Sequence, residues 1–381
     1  MTPVEMIAKL CSFDTVSSKS NLDLIHWVRD YLAGFGIEAQ LVPNESGDKA
    51  NLFATIGPMA EGGVILSGHT DVVPVDGQPW DTDPFEVVER DGRLYGRGTA
   101  DMKSFSAIAL ALIPEMLQRG LQRPLHLALS YDEEIGCLGA PAMIERMAAE
   151  LPAMHAVIVG EPTEMNIVTA KKGIGAYQTT IVGHEAHSSQ THRGASAVMA
   201  GARLIALLDE MMRENKARAE PDCPFEPPYT TITCGVVHGG TAMNILAREC
   251  MFQWDVRYIP GENIAMFRRR FDALAAEILA EMREIEPGCS ITTVAMGEAP
   301  ALKPEKDGAA EQLVKQLTGQ NSTHVVSYAA EAGQFQEGGF SVVMCGPGSI
   351  DQAHQPNEFI ELSQVEAGVD FMRRLIEHQA A

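Results

Sequence analysis

Short apolar runs alternate with helix-like segments along much of this chain, and that alternation constrains the fold more than any other feature. Three of the runs are GGVILSG, HAVIVGEP and FSVVMCGP, each about the length of one strand. Strands that helices cover on both faces have this near-continuous apolar character, and they occur in largely parallel sheets. The sequence therefore predicts an α/β domain built on a mostly parallel sheet.

The pattern changes between about residues 170 and 300. There IGAYQTTIVG alternates like a half-exposed strand, and long amphipathic helices are predicted at SAVMAGARLIALLDEMMREN and NIAMFRRRFDALAAEILAEMREI. The predicted order βαββαβ is that of a ferredoxin-like α+β domain. At 381 residues the chain is also too long for one typical core. We predict a discontinuous α/β domain at 1–169 plus 301–381, interrupted by an α+β domain at 170–300.

Charge and composition exclude several classes of partner. The net charge of −22 argues against binding to nucleic acid or to an anionic membrane surface. No apolar run approaches the length of a membrane span, and MTPVEMIAKL lacks the basic start of a signal peptide. The seven cysteines are scattered and form no C-x-x-C pair, which is typical of a reduced compartment. We expect a cytoplasmic protein with a small-molecule substrate.

Acidic residues and histidines cluster at the ends of the predicted strands. The members of this set are His69, Asp71, Asp101, Glu133, Glu134, Glu161 and His354. In open α/β sheets, functional groups gather outside the carboxyl ends of the strands. The set therefore indicates one site at that edge, with ligand types that suit a metal ion.

Counting donors suggests how these residues divide. Two histidines and three carboxylates make two three-ligand metal sites only if one ligand is shared. If Asp101 bridges, one metal takes His69, Asp101 and Glu161, and the other takes His354, Asp101 and Glu134. This mixed nitrogen and oxygen set favours Zn²⁺, with Co²⁺ or Mn²⁺ as alternatives.

Two acidic residues remain, and each has a predicted supporting role. Glu133 is left over beside the metals, as a general base for hydrolysis requires. Asp71 shares a strand face with His69 and could hold its imidazole from behind. Each motif alone also has a structural interpretation: His-x-Asp as a polar turn, Asp101 as a helix N-cap, and His354 as a loop histidine.

Five segments resemble the signature motifs of the two-metal aminoacylase/carboxypeptidase family. They are GHTDVVPV, LYGRGTADMKS, SYDEEIGCLGA, VGEPT and CGPGSIDQAHQPNEF. The resemblance extends over nearly the whole chain. It implies two zinc ions per chain, the ligand set given above with Asp101 bridging, Glu133 as general base, and Asp71 behind His69.

The inserted segment is similar to the family's lid and dimerisation domain. GHEAHSSQTHRGASA is similar to the G-x-x-A-H-S-S motif, which implies a homodimer in which His187 reaches the neighbouring active site and stabilises an oxyanion. GGTAMNILARECMFQWDVR implies that Asn244 and Arg257 bind the substrate carboxylate. Many members have proline shortly after this motif, where this chain reads QTH. From the residues alone, ordinary surface positions are favoured for His187, Asn244 and Arg257.

The resemblance also suggests a substrate. YAAEAGQFQEGG and the last loop are most similar to the acetylornithine deacetylases of the family, which implies hydrolysis of an N-acyl amino acid. Alternatives are another N-acyl amino acid, succinyl-diaminopimelate, a dipeptide, or a non-catalytic ligand-binding homodimer. Glu331 is expected either to face the basic end of an ornithine-like substrate or to be a solvated loop residue.

Overall fold

The computed structural model describes all residues from Met1 to Ala381 and contains fifteen strands and ten α-helices. The strands are β1 (Ala39–Pro43), β2 (Ala50–Ile56), β3 (Gly63–His69), β4 (Val88–Arg90), β5 (Arg93–Tyr95), β6 (Leu125–Ser130), β7 (Met154–Pro162), β8 (Val168–Lys171), β9 (Gly173–Val182), β10 (Thr231–Gly239), β11 (Glu249–Tyr258), β12 (Ser290–Ala299), β13 (His324–Val326), β14 (Val342–Gly346) and β15 (Phe359–Glu361). The helices are α1 (Pro3–Cys11), α2 (Leu22–Ala33), α3 (Lys103–Ala111), α4 (Ile113–Arg119), α5 (Ala140–Glu150), α6 (Ala197–Ala217), α7 (Ile264–Ile285), α8 (Ala309–Thr318), α9 (Ala332–Glu337) and α10 (Leu362–Ala380). The chain forms two compact units, of which the first comprises Met1–Ala170, Leu302–Val325 and Ala330–Ala381.

An eight-stranded sheet forms the centre of the first unit, in the order β1-β2-β6-β3-β7-β14-β8-β13. The four central strands β6, β3, β7 and β14 run parallel, whereas β1, β2 and β8 pair antiparallel. Every residue of β3, β6 and β14 is buried, as expected for strands covered on both faces. The predicted α/β class is confirmed, with antiparallel pairing limited to the outer strands.

The apolar segment after Asp101 forms two consecutive helices, α3 and α4, which are separated at Leu112. Pro114 occupies the first turn of α4, where its missing N–H costs no helical hydrogen bond. All nine residues of α3 are buried, so this helix belongs to the core. No helix in the structure is both long and apolar enough to cross a membrane.

Two glycines allow close packing where β7 and β14 end. A Cβ built on Gly160 would lie 2.0 Å from Cγ of Phe105, and one on Gly346 would lie 2.1 Å from the Gly160 carbonyl oxygen. Since real Cβ atoms do not approach so closely, both positions require glycine. The carboxyl ends of these two strands are thereby held together.

The second unit comprises Lys171–Ala301 and the short segment Val326–Ala329. Its antiparallel sheet has the order β10-β11-β9-β12, and α6 and α7 pack on it, which is the ferredoxin-like arrangement predicted from the sequence. The apolar positions of both helices join Phe252 and Trp254 in one core. Trp254 stacks on Phe271 with ring centroids 4.6 Å apart.

A small sheet of β15, β5 and β4 was not predicted. Each of its strands has only three residues, too few to produce a visible alternation in the sequence. It connects the segment before Asp101 with the segment after His354 through antiparallel pairs such as Phe359 with Tyr95.

Candidate metal centre

The structure brings five of the predicted ligands together as two groups that share Asp101. One group is His69, Asp101 and Glu161, and the other is Asp101, Glu134 and His354. Within each group the ligand atoms lie within 4.8 Å of one another. Asp101 turns Oδ1 to Nε2 of His69 at 3.0 Å and Oδ2 to Nε2 of His354 at 3.3 Å. One carboxylate therefore faces both histidines.

The parallel strands place these side chains at one edge of the sheet. His69 is the last residue of β3, Glu161 lies at the end of β7, and Glu134 follows β6. Asp101 precedes α3, and His354 follows β14. Loops after the carboxyl ends of parallel strands converge in this way because the strands all point to the same edge.

Burial and mutual repulsion dominate the electrostatics of the carboxylates. Burial, together with neighbouring acidic groups, raises the pKa of Glu133 to about 8 and that of Glu134 to about 7. The pKa of Glu161 is raised well above its ordinary value, first by burial and then by Glu133 and Asp101. Hydrogen bonds to Asp101 and Glu134 raise the pKa of His354 to about 10. Without a cation, buried carboxyl groups at this edge therefore retain protons near neutral pH instead of ionising fully.

The donor set fits a divalent transition-metal ion. Oε1 of Glu161 is buried and has no hydrogen-bond partner, which is costly for a carboxylate unless a cation meets it. Nε2 of His354 lies 2.9 Å from Oε2 of Glu134, so imidazole nitrogen and carboxylate oxygen converge at the second group as well. A sulfur-free nitrogen and oxygen set of this kind suits Zn²⁺, Co²⁺ or Mn²⁺.

Glu133 stands beside both groups without belonging to either. Its Oε2 lies 4.0 Å from Nε2 of His69, and its Oε1 accepts a hydrogen bond from the Cys137 thiol at 3.2 Å. Asp132 and Cys137 on either side have φ values of 57°, and His354 has 63°. Left-handed backbone at residues other than glycine is uncommon and concentrates at functional sites.

Asp71 lies behind His69, but it supports the site differently from our expectation. Nδ1 of His69 is 2.9 Å from the Asp71 main-chain carbonyl oxygen and 3.7 Å from its carboxylate. The carboxylate instead accepts hydrogen bonds from the Ser17 hydroxyl and from the main-chain N–H groups of Glu133 and Glu134. The carbonyl thus orients the imidazole, and the carboxylate holds the loop that presents Glu133 and Glu134.

Two structural alternatives from the sequence can also be corrected. Asp101 is not the N-cap of α3, since Met102 occupies that position and no side chain caps the helix. Glu331 is not a solvated loop residue: it is fully buried, and its Oε1 accepts a hydrogen bond from the Ser67 hydroxyl at 3.0 Å. Its carboxylate is therefore held inside the first unit.

The three residues implied by the resemblance alone lie in the second unit. His187 is exposed, and its Nδ1 is 2.8 Å from the Ser189 hydroxyl. The main-chain carbonyl of Asn244 accepts a hydrogen bond from the Ser188 N–H, so the His187 and Asn244 segments are adjacent. Arg257 on β11 pairs with Asp255 at 2.9 Å.

Two residues that contact the site, Cys137 and Glu358, had no predicted role. Cys137 reaches Glu133, and Glu358 accepts a hydrogen bond from the main-chain N–H of Asp101 at 3.0 Å. Their only sequence signal is position, because each lies inside a motif already singled out, SYDEEIGCLGA or CGPGSIDQAHQPNEF.

Comparison with known proteins identifies the family of the chain. A model of the family described as Peptidase family M20/M25/M40 matches residues 65–378, more than half of the chain. The fold is similar to an M20 family metallo-carboxypeptidase from Sulfolobus solfataricus (TM-score 0.79, 18% identity, 99% of each chain). It is also similar to human carnosine dipeptidase 1 (TM-score 0.72, 16% identity, 99% of this chain and 96% of that one). A third similar structure is the Bacillus subtilis YXEP protein, described as a dinuclear metal binding peptidase (TM-score 0.67, 14% identity, 98% of this chain and 96% of that one). The chain belongs to peptidase family M20/M25/M40.

Proposed function

We propose that this protein is a two-metal hydrolase that cleaves the amide bond of N-acyl amino acids, with N-acetylornithine as its substrate and ornithine and acetate as products. The observation that carries the proposal is the pair of ligand groups sharing Asp101, with Glu133 beside them. Zn²⁺ is the proposed metal, and Co²⁺ or Mn²⁺ are alternatives. The reaction would serve arginine biosynthesis in the cytoplasm.

In this proposal one metal is held by His69, Asp101 and Glu161, and the other by Asp101, Glu134 and His354. When bound, such ions polarise an amide carbonyl and lower the pKa of water to roughly 7. The main-chain carbonyl of Asp71 fixes His69 so that Nε2 is directed to the ligand group.

Glu133 would act as the proton carrier. Its carboxylate takes a proton from the attacking water as the new carbon–oxygen bond forms. It then gives that proton to the amine nitrogen as the carbon–nitrogen bond breaks. Since the Cys137 thiol donates to Oε1, Oε2 is the oxygen left to carry the proton.

The substrate assignment rests on the resemblance of YAAEAGQFQEGG and CGPGSIDQAHQPNEF to acetylornithine deacetylases. The burial of Glu331 removes one argument for it, because a carboxylate held against Ser67 does not present itself to a substrate ammonium group. A dipeptidase is the second candidate, since one protein of similar fold is a carnosine dipeptidase and another is a tripeptidase.

The base assignment is tested with Glu133→Gln. We expect turnover to fall by about a thousandfold, within the range for removal of a general base, while bound metal measured by elemental analysis stays at the wild-type level. Glu145→Gln is the matched control, because it makes the same change on the exposed face of α5. Wild-type turnover in Glu133→Gln would exclude this residue as the base.

A substrate panel tests the specificity. The purified, metal-loaded protein is offered N-acetylornithine, N-acetylmethionine, N-acetylglutamate, succinyl-diaminopimelate and several dipeptides. We expect N-acetylornithine to give the highest kcat/KM. A preference for dipeptides with a free amino group would favour the second candidate.

We further propose a homodimer formed through the second unit, in which His187 of one chain stabilises the oxyanion at the other chain's site and Asn244 and Arg257 bind the substrate carboxylate. The exposed apolar side chains of Met199, Val237 and Met243 support a covered surface there. Mixed dimers of a His187→Ala chain and a Glu133→Gln chain should recover activity that neither chain has alone. Absence of any recovery would contradict a histidine acting in trans.

A further inference from the structure

Glu358 is a buried carboxylate whose four hydrogen bonds all involve the loop that carries Asp101. Oε1 accepts the main-chain N–H groups of Gly98, Ala100 and Asp101 at 3.1, 2.8 and 3.0 Å. Oε2 accepts Nη1 of Arg97 at 2.7 Å. The side chains of Glu358 and Arg97 are 0% and 1% exposed. The backbone at the shared carboxylate is thus bound to a residue four positions after His354.

Arg97 extends the same network to the His354 loop. Its Nη1 also donates to the Gln355 carbonyl at 3.3 Å, and its Nη2 donates to Oε1 of Gln78 at 2.7 Å. Gln78 in turn donates Nε2 to the main-chain carbonyl of His354 at 3.0 Å. The Arg97–Glu358 network is therefore hydrogen-bonded to two of the three loops that contribute to the second ligand group, those of Asp101 and His354.

We propose that Glu358 is a positioning residue that sets the separation of Asp101 and His354, and thereby the affinity of the metal position formed by Asp101, Glu134 and His354. The inference rests on the proposed function, since it assumes that this group binds a metal. Glu358 itself touches neither metal nor substrate in this arrangement.

Loss of Glu358 should weaken the metal position that contains His354 more than the one that contains His69. His69 is held by its place at the end of β3 and by the Asp71 carbonyl, neither of which involves Glu358. His354 lies on an exposed loop at φ 63°, and the Arg97 network reaches the main chain of that loop at two carbonyl groups. Loss of Glu358 would also leave the Arg97 guanidinium buried without its carboxylate, so the network would rearrange.

The test is Glu358→Gln, which keeps the side-chain volume and an oxygen for the main-chain N–H groups but removes the charge that faces Arg97. Metal-free protein is titrated with Co²⁺ by calorimetry, and the visible absorption of the bound Co²⁺ is recorded. A His354→Ala variant provides the spectrum of Co²⁺ bound only at the first position, which is formed by His69, Asp101 and Glu161. Removing residues that support metal ligands typically costs 10–100-fold in affinity.

Two control variants separate positioning from general loss of stability. Glu361→Gln makes the same change three residues later, in a half-exposed pair with Arg93 that does not reach Asp101. Ile360→Val removes a buried methylene from the same segment and leaves the network intact. Gln78→Ala cuts the network at a partly exposed position, so it tests the inference even if Glu358→Gln fails to fold.

We expect Glu358→Gln and Gln78→Ala to weaken the second Co²⁺ site by at least about tenfold, with the first site changed less than about threefold. Glu361→Gln and Ile360→Val should bind like the wild type. Wild-type binding at both sites in Glu358→Gln and Gln78→Ala, or equal weakening at both sites, would overturn the inference. A wild-type protein that binds only one Co²⁺ would instead contradict the two-metal proposal and this inference with it.

Discussion

His126 should make the stability of the first unit depend on pH below neutrality. This histidine is the second residue of β6 and has no exposed surface. Its Nδ1 is 2.9 Å from the Thr55 hydroxyl, and its Nε2 has no hydrogen-bond partner. Burial lowers the pKa of the imidazole from 6.5 to about 4. The folded protein therefore holds His126 neutral, whereas the unfolded chain protonates it near pH 6.5.

The sign and size of the effect follow from linkage. Between pH 6.5 and 4 the unfolded chain binds the extra proton, so acidification in this window favours unfolding. The contribution of neutral His126 is fully present above pH 6.5 and is lost as the pH falls toward 4. From the two pKa values, the loss relative to pH 7.5 is about 2 kcal/mol at pH 5.0 and about 3 kcal/mol at pH 4.0.

The assay compares urea unfolding of the metal-free wild type with that of His126→Leu at pH 7.5 and pH 5.0. Other titrating groups are common to both proteins, so the difference between their pH responses isolates His126. We expect the variant to lose about 2 kcal/mol less than the wild type between these pH values. Thr55→Val removes the hydrogen-bond partner and keeps the imidazole, so it should respond like the wild type. Equal losses in the wild type and His126→Leu would refute the reasoning.

Three further predictions concern metal, packing and a buried lysine. Removal of metal with a chelator should abolish hydrolysis while the circular dichroism of the helices persists, and added Zn²⁺ should restore activity. Full activity in protein shown to be metal-free would contradict a metal-dependent reaction. Gly160→Ala should cost about 2 kcal/mol of unfolding free energy in thermal denaturation, because the new methyl group meets the Phe105 ring, and Phe105→Leu should recover part of that loss. Lys172→Met should cost about 2–4 kcal/mol of unfolding free energy in the same assay, because the Lys172 ammonium group donates to the Pro227 and Tyr229 carbonyls at 2.8 Å each. An unchanged unfolding midpoint would show that water satisfies these carbonyls in the variant.

His69 and Asp71 show that the local sequence pattern determines which residues are neighbours but not every contact between them. The strand pleat correctly indicates that alternate residues share a face, but β3 ends at His69. Beyond that residue the period of two no longer applies, so the Asp71 carboxylate turns to Ser17 and to the N–H groups of the Glu133 loop. The strand-end rule predicted which residues meet, whereas the partner of each oxygen depended on loop conformation.

Buried acidic residues on loops were harder to recognise. Glu358 and Glu331 stand in polar segments, where a glutamate is ordinarily solvated. The partners that bury them are distant in sequence: Asp101 lies 257 residues from Glu358, and Ser67 lies 264 residues from Glu331. No local pattern encodes such pairs, so they became visible only when the tertiary structure placed both segments together.

Glu161 offers a way to separate the folding cost of the site from its function. Its Oε1 is buried without a hydrogen-bond partner, and burial raises the pKa of the carboxyl group well above its ordinary value. Without metal, this side chain must either remain charged in a buried site beside other acidic groups or take up a proton, and both alternatives cost free energy at pH 8. Glu161→Gln removes that cost, so the metal-free variant should unfold at a higher temperature than the metal-free wild type, by an amount equivalent to about 1–3 kcal/mol.

With saturating Zn²⁺ the order of stability should reverse. A ligand present at 100 times its Kd stabilises a folded protein by about 2.7 kcal/mol, and the variant forfeits much of this because it has lost one metal ligand. Thermal denaturation of both proteins, each with chelator and with Zn²⁺, therefore gives four midpoints and two differences of opposite sign. Differences of the same sign would show that Glu161 is a structural residue, because only a metal ligand is costly in one state and stabilising in the other.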